Sequence, residues 1–244
     1  MKEFLEAIAA AALNNRQQAE DYLRLQRKIP PEKVKDYDFG LMTRFDISAA
    51  LSKAQIKLDS HSNEKRLLDT AWETRIVFPV YSPTGQIIRL ESREISEKKY
   101  GAFFDKDNTY MPAFYGMENN IEKIWQKGVV VLTEGVIDLL AVASVFPQLP
   151  VLASMTQSLN KPQINFLNRY ADRVVLLYDR GTSKIYQDVL VRLDDVPLVE
   201  ALSWSSTSGI KLPAKTKDVA AILASKGSYI LKKILSDQFE FFND

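Results

Sequence analysis

Two acidic residues follow directly on strongly apolar runs. Val129-Val130-Val131-Leu132-Thr133 leads into Glu134-Gly135, with Asp138 four residues past Glu134. Arg173-Val174-Val175-Leu176-Leu177-Tyr178 leads into Asp179-Arg180-Gly181. In open α/β sheets ligands sit beyond the carboxyl ends of the strands. Strands that end at Glu134 and Asp179 therefore aim two carboxylates at one crevice. Clustered carboxylates repel and raise one another's pKa unless a cation neutralises them, so the chemistry this spacing predicts is the holding of a divalent metal. A single acid in such a place serves equally well as a helix N-cap or first-turn acid. Two in one sheet, each beside a glycine, favour the metal.

The rest of the composition narrows which metal. The chain has no cysteine among its 244 residues, which excludes disulfides, thiol nucleophiles, iron–sulfur clusters and cysteine-containing zinc sites. Its one histidine, His61, excludes multi-histidine sites and lies in the polar run Asp59-Ser60-His61-Ser62-Asn63, which reads as a surface loop. Oxygen ligands remain, and they point to Mg²⁺ or Mn²⁺. Lys and Arg number 32 against 31 Asp and Glu, for a net charge of +1. That balance argues against a polycation that coats nucleic acid and leaves room for an enzyme with a local basic path.

Hydrophobic residues at 46% and charged residues at 26% describe an ordinary globular chain of one large or two small domains. The start, Met1-Lys2-Glu3-Phe4-Leu5-Glu6, is too charged for a signal peptide. The longest apolar stretches, 129–132 and 139–146, fall far short of the about 20 residues that cross a bilayer. A cytoplasmic protein is expected.

Three stretches position these residues. Residues 1–70 read mostly as helix, with Phe4, Leu5, Ile8, Ala11, Ala12 and Leu13 at helical spacing, broken at Pro30-Pro31, where Pro31 can open the next helix. Arg24, Arg27, Lys28, Lys33 and Lys35 read as a solvated face. Residues 75–93 read as a β-hairpin around the turn Ser82-Pro83-Thr84-Gly85. Its Arg89 and Arg93 fall on one face of a regular strand, either as part of a basic track or as solvated charges paired with Glu91 and Glu94. Residues 128–244 alternate strand and helix: strands at 128–133, 151–154, 173–178 and 196–202, helices at 138–146, 161–170, 183–193 and 219–235. Continuous apolar strands alternating with helices predict an α/β fold with a parallel sheet covered on both faces. Domain bounds of 1–127, a helical and β-hairpin part, and 128–244 follow.

The run Val131-Leu132-Thr133-Glu134-Gly135-Val136-Ile137-Asp138-Leu139-Leu140-Ala141 resembles the first signature of the TOPRIM domain, shared by bacterial primases, topoisomerases, recombination proteins of the RecR type and some nucleases. Further pieces resemble the catalytic core of bacterial, DnaG-type DNA primases. Ala19 to Leu23, Ile29 to Glu32 and Tyr37 to Gly40 are similar to its helical entry. Arg75 to Val80 with Gly85, Arg89 and Arg93 is similar to its basic hairpin. Lys99-Tyr100 and Phe114-Tyr115-Gly116 are similar to the run into the TOPRIM part. Leu152 to Thr156, with Leu159, Gln163 and Leu167, is similar to its second strand and helix, and Lys217-Asp218 to its late acidic motif. The resemblance spans roughly residues 15–235.

It implies synthesis of short RNA primers on single-stranded DNA from ribonucleoside triphosphates, with Mg²⁺ or Mn²⁺. It implies Asp138, Asp179 and Asp218 as metal ligands, and Glu134 as a ligand or general acid/base. Arg75, Arg89, Arg93, Lys98 and Lys99 would track template backbone or triphosphate, and Tyr100 or Tyr115 would stack on a base. Two positions depart from the family: Gly181 and Ala220 stand where it usually carries a second and a further aspartate. The family's zinc module cannot form without cysteine, and the chain stops soon after the late motif. This suggests a minimal, phage-like core that works with a helicase, a zinc-module protein or a single-strand-binding protein. The departures leave two alternatives open, an accessory protein that binds single strands without catalysis and a TOPRIM nuclease. The closing Phe239-Glu240-Phe241-Phe242-Asn243-Asp244 reads either as packing on the body or as a short docking peptide.

Overall fold

β-Branched residues cluster at 129–133 and 173–177, where side chains must be buried on both faces of a pleated ribbon. The computed structural model describes residues 2–57, 74–95, 100–104, 110–156, 158–205, 209–213 and 215–243. His61, Lys98 and Lys99 lie outside the described residues. The chain divides into two units, Met1–Tyr22 with Tyr37–Ala113 and Leu23–Asp36 with Phe114–Asp244. The second unit takes in residues 23–36 and 114–127 besides the 128–244 stretch.

In the first unit, α1 (Lys2–Asn14), α2 (Arg16–Tyr22) and α3 (Arg44–Lys53) accompany strands β1 (Gly40–Thr43), β2 (Thr74–Tyr81), β3 (Ile87–Glu94) and β4 (Tyr100–Phe104). The strands form one antiparallel sheet in the order β1-β2-β3-β4. The expected hairpin is its central pair. Its turn is closed by Ser82 N donating to Gln86 O at 2.8 Å and by Gly85 at φ +80°, a conformation only glycine adopts at no cost. The helical expectation for the N-terminal stretch meets α1, α2 and α3 but missed β1, which is too short to show a period of two. Phe4, Leu5, Ile8, Ala9 and Ala12 on one face of α1 pack with Met42, Val77, Leu90 and Phe103 of the sheet. α3 opens with a capping box, Thr43 N donating to Asp46 Oδ2 at 2.8 Å and Asp46 N donating to Thr43 Oγ1 at 3.3 Å.

In the second unit, strands β5 (Val129–Thr133), β6 (Val151–Ala153), β7 (Arg173–Leu177) and β8 (Leu198–Ala201) form a wholly parallel sheet in the order β6-β5-β7-β8. Helices α4 (Met117–Lys127), α6 (Lys161–Tyr170) and α7 (Ser183–Arg192) cover one face. There Met117, Ile124, Ile164, Leu167 and Val189 pack on Val130, Leu132, Val174 and Leu176. The pleat turns Val131 and Val175 to the other face, where α5 (Val136–Val145) packs on β5 and β6. α8 (Val219–Lys226) and α9 (Ser228–Gln238) pack against α5. The helix expected over 219–235 is thus two helices, parted at Gly227 with φ +85°. Pro31 opens only one 3₁₀ turn, Pro31–Lys33, and Arg24, Lys28, Lys33 and Lys35 are exposed, as a solvated face requires.

The closing aromatics belong to the core of this unit. Phe239 and Phe242 are buried, and Phe242 meets Phe146 edge-on with ring centroids 4.7 Å apart. The packed alternative therefore holds over the docking peptide. Among the described residues no helix is long and apolar enough to cross a membrane.

Gly40 is glycine for want of space rather than for its φ. A Cβ there would stand 1.8 Å from the carbonyl oxygen of Ala12 in α1. Gly40→Ala should therefore push α1 off the sheet and destabilise the chain by about 1–3 kcal/mol or more. Gly209→Ala, with open space around its Cβ, should cost only the strain of its φ of +70°. Thermal unfolding of the two variants checks this, and equal losses would remove the steric explanation.

Candidate active site

Because β5 and β7 pair in parallel with Thr133 opposite Leu177, the chain leaves both strands at the same edge of the sheet. Glu134 emerges from one and Tyr178-Asp179 from its neighbour. The loop after β5 is pinned by Met155 N donating to Glu134 O at 2.9 Å and by Thr133 Oγ1 donating to Gly135 O at 3.1 Å. Met155 takes φ +59° to make its contact. The loop after β7 is pinned by Thr182 Oγ1 donating to Asp179 O at 2.7 Å, by Trp204 Nε1 donating to Tyr178 O at 3.0 Å, and by Arg180 N donating to Lys217 O at 2.7 Å. That last bond ties the β7 loop to the segment that delivers Asp218.

Asp138 sits in the first turn of α5, and Asp218 is the N-cap of α8. Asp218 Oδ1 accepts from Ala221 N at 2.6 Å, and Asp138 Oδ1 accepts from Ala220 N at 3.0 Å. Both acids thus use one oxygen on the N-terminal turn of α8 and keep Oδ2. Asp138 retains a partly exposed edge, yet protein atoms enclose its carboxyl. Its pKa is raised well above the ordinary aspartate value, first by desolvation and then by the charge of Asp218, against a lowering by the Ala220 N–H, with Asp179 and Glu134 adding further repulsion. Burial also pushes the Tyr178 phenol upward, with Ser154 beside it opposing and the Glu134 charge adding to the rise.

Glu134, Asp138, Asp179 and Asp218 are therefore brought together at one edge of one sheet. Among the described residues no three of them close on a common point as a finished ligand cluster. The arrangement is an open acidic crevice. Its donors are hard oxygens, the set that suits Mg²⁺ or Mn²⁺, and the uncompensated repulsion on Asp138 is what a bound cation would relieve. On both counts these residues fit a divalent ion.

The basic residues of the first unit are placed differently from a simple solvated track. Arg75 is buried, with Nε donating to Ser92 Oγ at 3.1 Å and a guanidinium nitrogen 3.7 Å from Glu94. That framework leaves it little reach toward a phosphate. Arg89 is paired with Glu91, whose carboxyl burial pushes up and Arg89 pulls back. Arg93 is buried, its guanidinium 5.5 Å from the ring centre of the exposed Tyr100. The Nε atoms of Arg89 and Arg93 are buried without a hydrogen-bond partner among the described residues. Register with Val80 and Ile76 puts Arg89 and Arg93 on the same face, as expected. Tyr115 is fully buried and bridged to Ala153, so it has no face to offer a base.

Sequence reading missed the part played by the backbone. The Ala220 N–H holds Asp138, and Lys217 O holds Arg180. Main-chain donors and acceptors carry no residue-type signal. The signal that was available lay in the neighbours: Arg180 follows Asp179 as Lys217 precedes Asp218, an acid–base pair in each loop.

Residues 131–183 match the Toprim-like family. The DNA primase of Aquifex aeolicus is 26% identical over 178 residues, covering 68% of this chain and 35% of that protein. The solved zinc-binding and RNA polymerase domains of the Aquifex aeolicus primase superpose with a TM-score of 0.69 at 20% identity, covering 97% of this chain and 61% of that one. The DnaG primase catalytic domain bound to single-stranded DNA superposes with a TM-score of 0.66 at 16% identity, covering 96% and 78%. The chain spans about a third of the length of the primase it matches in sequence. Residues 131–183 are thus similar to the Toprim-like family, and the chain has the fold of the primase catalytic core.

The crowding of charge sets a pH dependence. Asp138 keeps its proton to higher pH in the folded chain than in the unfolded one. The metal-free protein should therefore lose stability as pH rises from about 3.9, the unfolded aspartate value, through the raised folded value. Asp138→Asn keeps the acceptor for Ala220 N and removes the charge. It should raise the metal-free melting temperature at neutral pH, by about 2–4 °C for each ~1 kcal/mol of relieved repulsion, and flatten the decline with pH. Mg²⁺ should stabilise the original chain more than the variant. Scanning calorimetry from pH 4 to 8, with Mg²⁺ and with a chelator, checks this; a variant with the same pH profile as the original chain would remove the account of Asp138.

Proposed function

We propose that this TOPRIM-type, primase-like chain is the nucleotidyl-transfer core of a primase. In this reading it synthesises short RNA primers on single-stranded DNA from ribonucleoside triphosphates with Mg²⁺ or Mn²⁺. The observation that carries it is the delivery of Glu134 and Asp179 from adjacent parallel strands to one edge, where Asp138 and Asp218 join them. Asp138, Asp179 and Asp218 hold the metal, and Glu134 is a fourth ligand or the general acid/base. A divalent cation held there would supply charge neutralisation for the triphosphate and a lowered pKa for the attacking 3′-hydroxyl. The chain's own part is to fix the direction of approach: the bonds from Thr182, Met155 and Ala220 immobilise the loops that carry the acids.

On the nucleic-acid side, Tyr100 stands opposite Arg93 in the β3–β4 pairing and Arg89 lies on the same face as Arg93, with Tyr100 exposed for stacking on a base. Lys98 and Lys99 precede it in sequence. A single-stranded template is supported by the neighbouring primase domain solved with single-stranded DNA. A zinc-module protein, a helicase and a single-strand-binding protein are the partners the resemblance implies.

A second reading has its own observation. Gly181 and Ala220 stand where the family carries aspartates, and Ala220 contributes only its N–H, to Asp138. An accessory protein that binds single strands without incorporating nucleotides would tolerate both changes.

Incubation of the purified chain with single-stranded DNA and labelled ribonucleotides, with Mg²⁺, Mn²⁺ or chelator, separates the readings. The proposed function gives extended RNA only with metal. Asp179→Asn should cut it by about a hundredfold or more, given the several kcal/mol a metal contributes to transition-state charge, while melting at or above the original temperature. Binding without extension selects the accessory reading, and shortened strands select a nuclease.

A further inference from the structure

The four acids explain the negative charge at the carboxyl edge of the second unit's sheet. They do not explain the bases set among them. Asp179-Arg180 and Lys217-Asp218 are two acid–base dipeptides on different segments, joined directly by the 2.7 Å bond from Arg180 N to Lys217 O. The acids of both pairs are partly buried, and the bases of both are exposed. Among the described residues neither basic side chain takes part in a hydrogen bond or ion pair. Other arginines of the same unit do, Arg173 with Glu200 at 2.6 Å and Arg192 with Asp188 at 3.3 Å.

Their backbones, by contrast, are fixed. Thr182 holds Asp179 O on one side of Arg180, the Lys217 carbonyl holds Arg180 N, and Asp218 is locked as the N-cap of α8. The outcome is two exposed bases whose backbones are joined, each next in sequence to a partly buried acid.

We propose that Arg180 and Lys217 together bind the polyphosphate tail of a nucleoside triphosphate at the rim of the acidic crevice. This deepens the primase reading and rests on it. An acidic crevice alone repels a polyanion. Bases beside it lower the repulsion an incoming triphosphate meets, and the acids then face the cation that travels with it. Guanidinium grips two phosphate oxygens at once, and ammonium acts as a movable point charge. A strand of nucleic acid presents one charge per nucleotide along its length. Two bases on segments joined by a single backbone bond can both reach one triphosphate.

Equilibrium binding of an α,β-methylene ribonucleoside triphosphate, measured with Mg²⁺ and with chelator, tests this on the whole chain. Arg180→Ala and Lys217→Ala should each weaken binding by about tenfold, the size of one charged hydrogen bond, and the double variant by more. Arg180→Lys should recover part of the loss. Binding of the corresponding nucleoside should change little, as should the melting temperature, since both side chains are exposed. If an alanine variant fails to fold, Arg180→Gln and Lys217→Gln make the same comparison. Unchanged triphosphate affinity in folded variants overturns the inference and leaves the primase reading standing. So does a loss confined to single-stranded DNA binding. An original chain that neither binds the triphosphate nor extends a primer overturns both.

Discussion

The in-register parallel pairing of β5 with β7 is the constraint on which the rest of the site depends. Parallel strands leave the sheet at the same edge. Once Thr133 lies opposite Leu177, the residues that follow must emerge side by side. Had the pair been antiparallel, Glu134 and Asp179 would stand a strand's length apart, and no loop geometry could reunite them. The pairing is in turn secured by burial. Val130, Leu132, Val174 and Leu176 fill one face, and Val131 and Val175 the other, so a one-residue slip would exchange the two sets at once. Packing of apolar residues thus determines where charge is placed.

That placement works against the fold. Four carboxylates at one edge oppose one another, and Asp138 bears the repulsion in a surrounding that also strips it of water. Two features offset this without a cation. Asp138 stands in the first turn of α5 and Asp218 caps α8, so both lie at helix N-termini, where the backbone dipole favours negative charge. The N–H groups of Ala220 and Ala221 then supply direct hydrogen bonds. The chain thereby holds the acids in place while leaving their second oxygens to a ligand.

Much of this was legible in the residues. The alternation of apolar runs and helices predicts the parallel sheet, and Glu134 and Asp179 stand out by their positions at strand ends, whereas Asp138 and Asp218 enter as ligands only through the resemblance to primases. What could not be read has physical causes. β1 has four residues, too few for a period, and is held by its partner β2 rather than by its own sequence. The split of the last helix depends on one glycine, and glycine inside a helix is often tolerated. The burial of Arg75 and Arg93 could not be foreseen, because alternation along a strand shows which residues share a face but not whether that face is covered. Residues 23–36 join the second unit through tertiary contacts that no local signal carries.

Gly181 and Ala220, the two positions that depart from the resemblance to primases, are not equivalent in this structure. Gly181 sits at φ +99° with open space around its missing Cβ. An aspartate there would fit sterically but would have to adopt a backbone conformation that L-residues disfavour. The backbone of this turn, and not only its side chain, is therefore unsuited to a second acid. Ala220 is different: it lies in the first turn of α8, is buried, and donates its N–H to Asp138. An aspartate in its place would bring a further carboxylate beside one whose charge is already disfavoured. With no acid at either position, the folded chain bears the repulsion of four carboxylates at this edge and no more. The loop that carries Gly181 also carries the exposed base Arg180 directly after Asp179, so at this edge the chain sets acid and base side by side in sequence and not two acids.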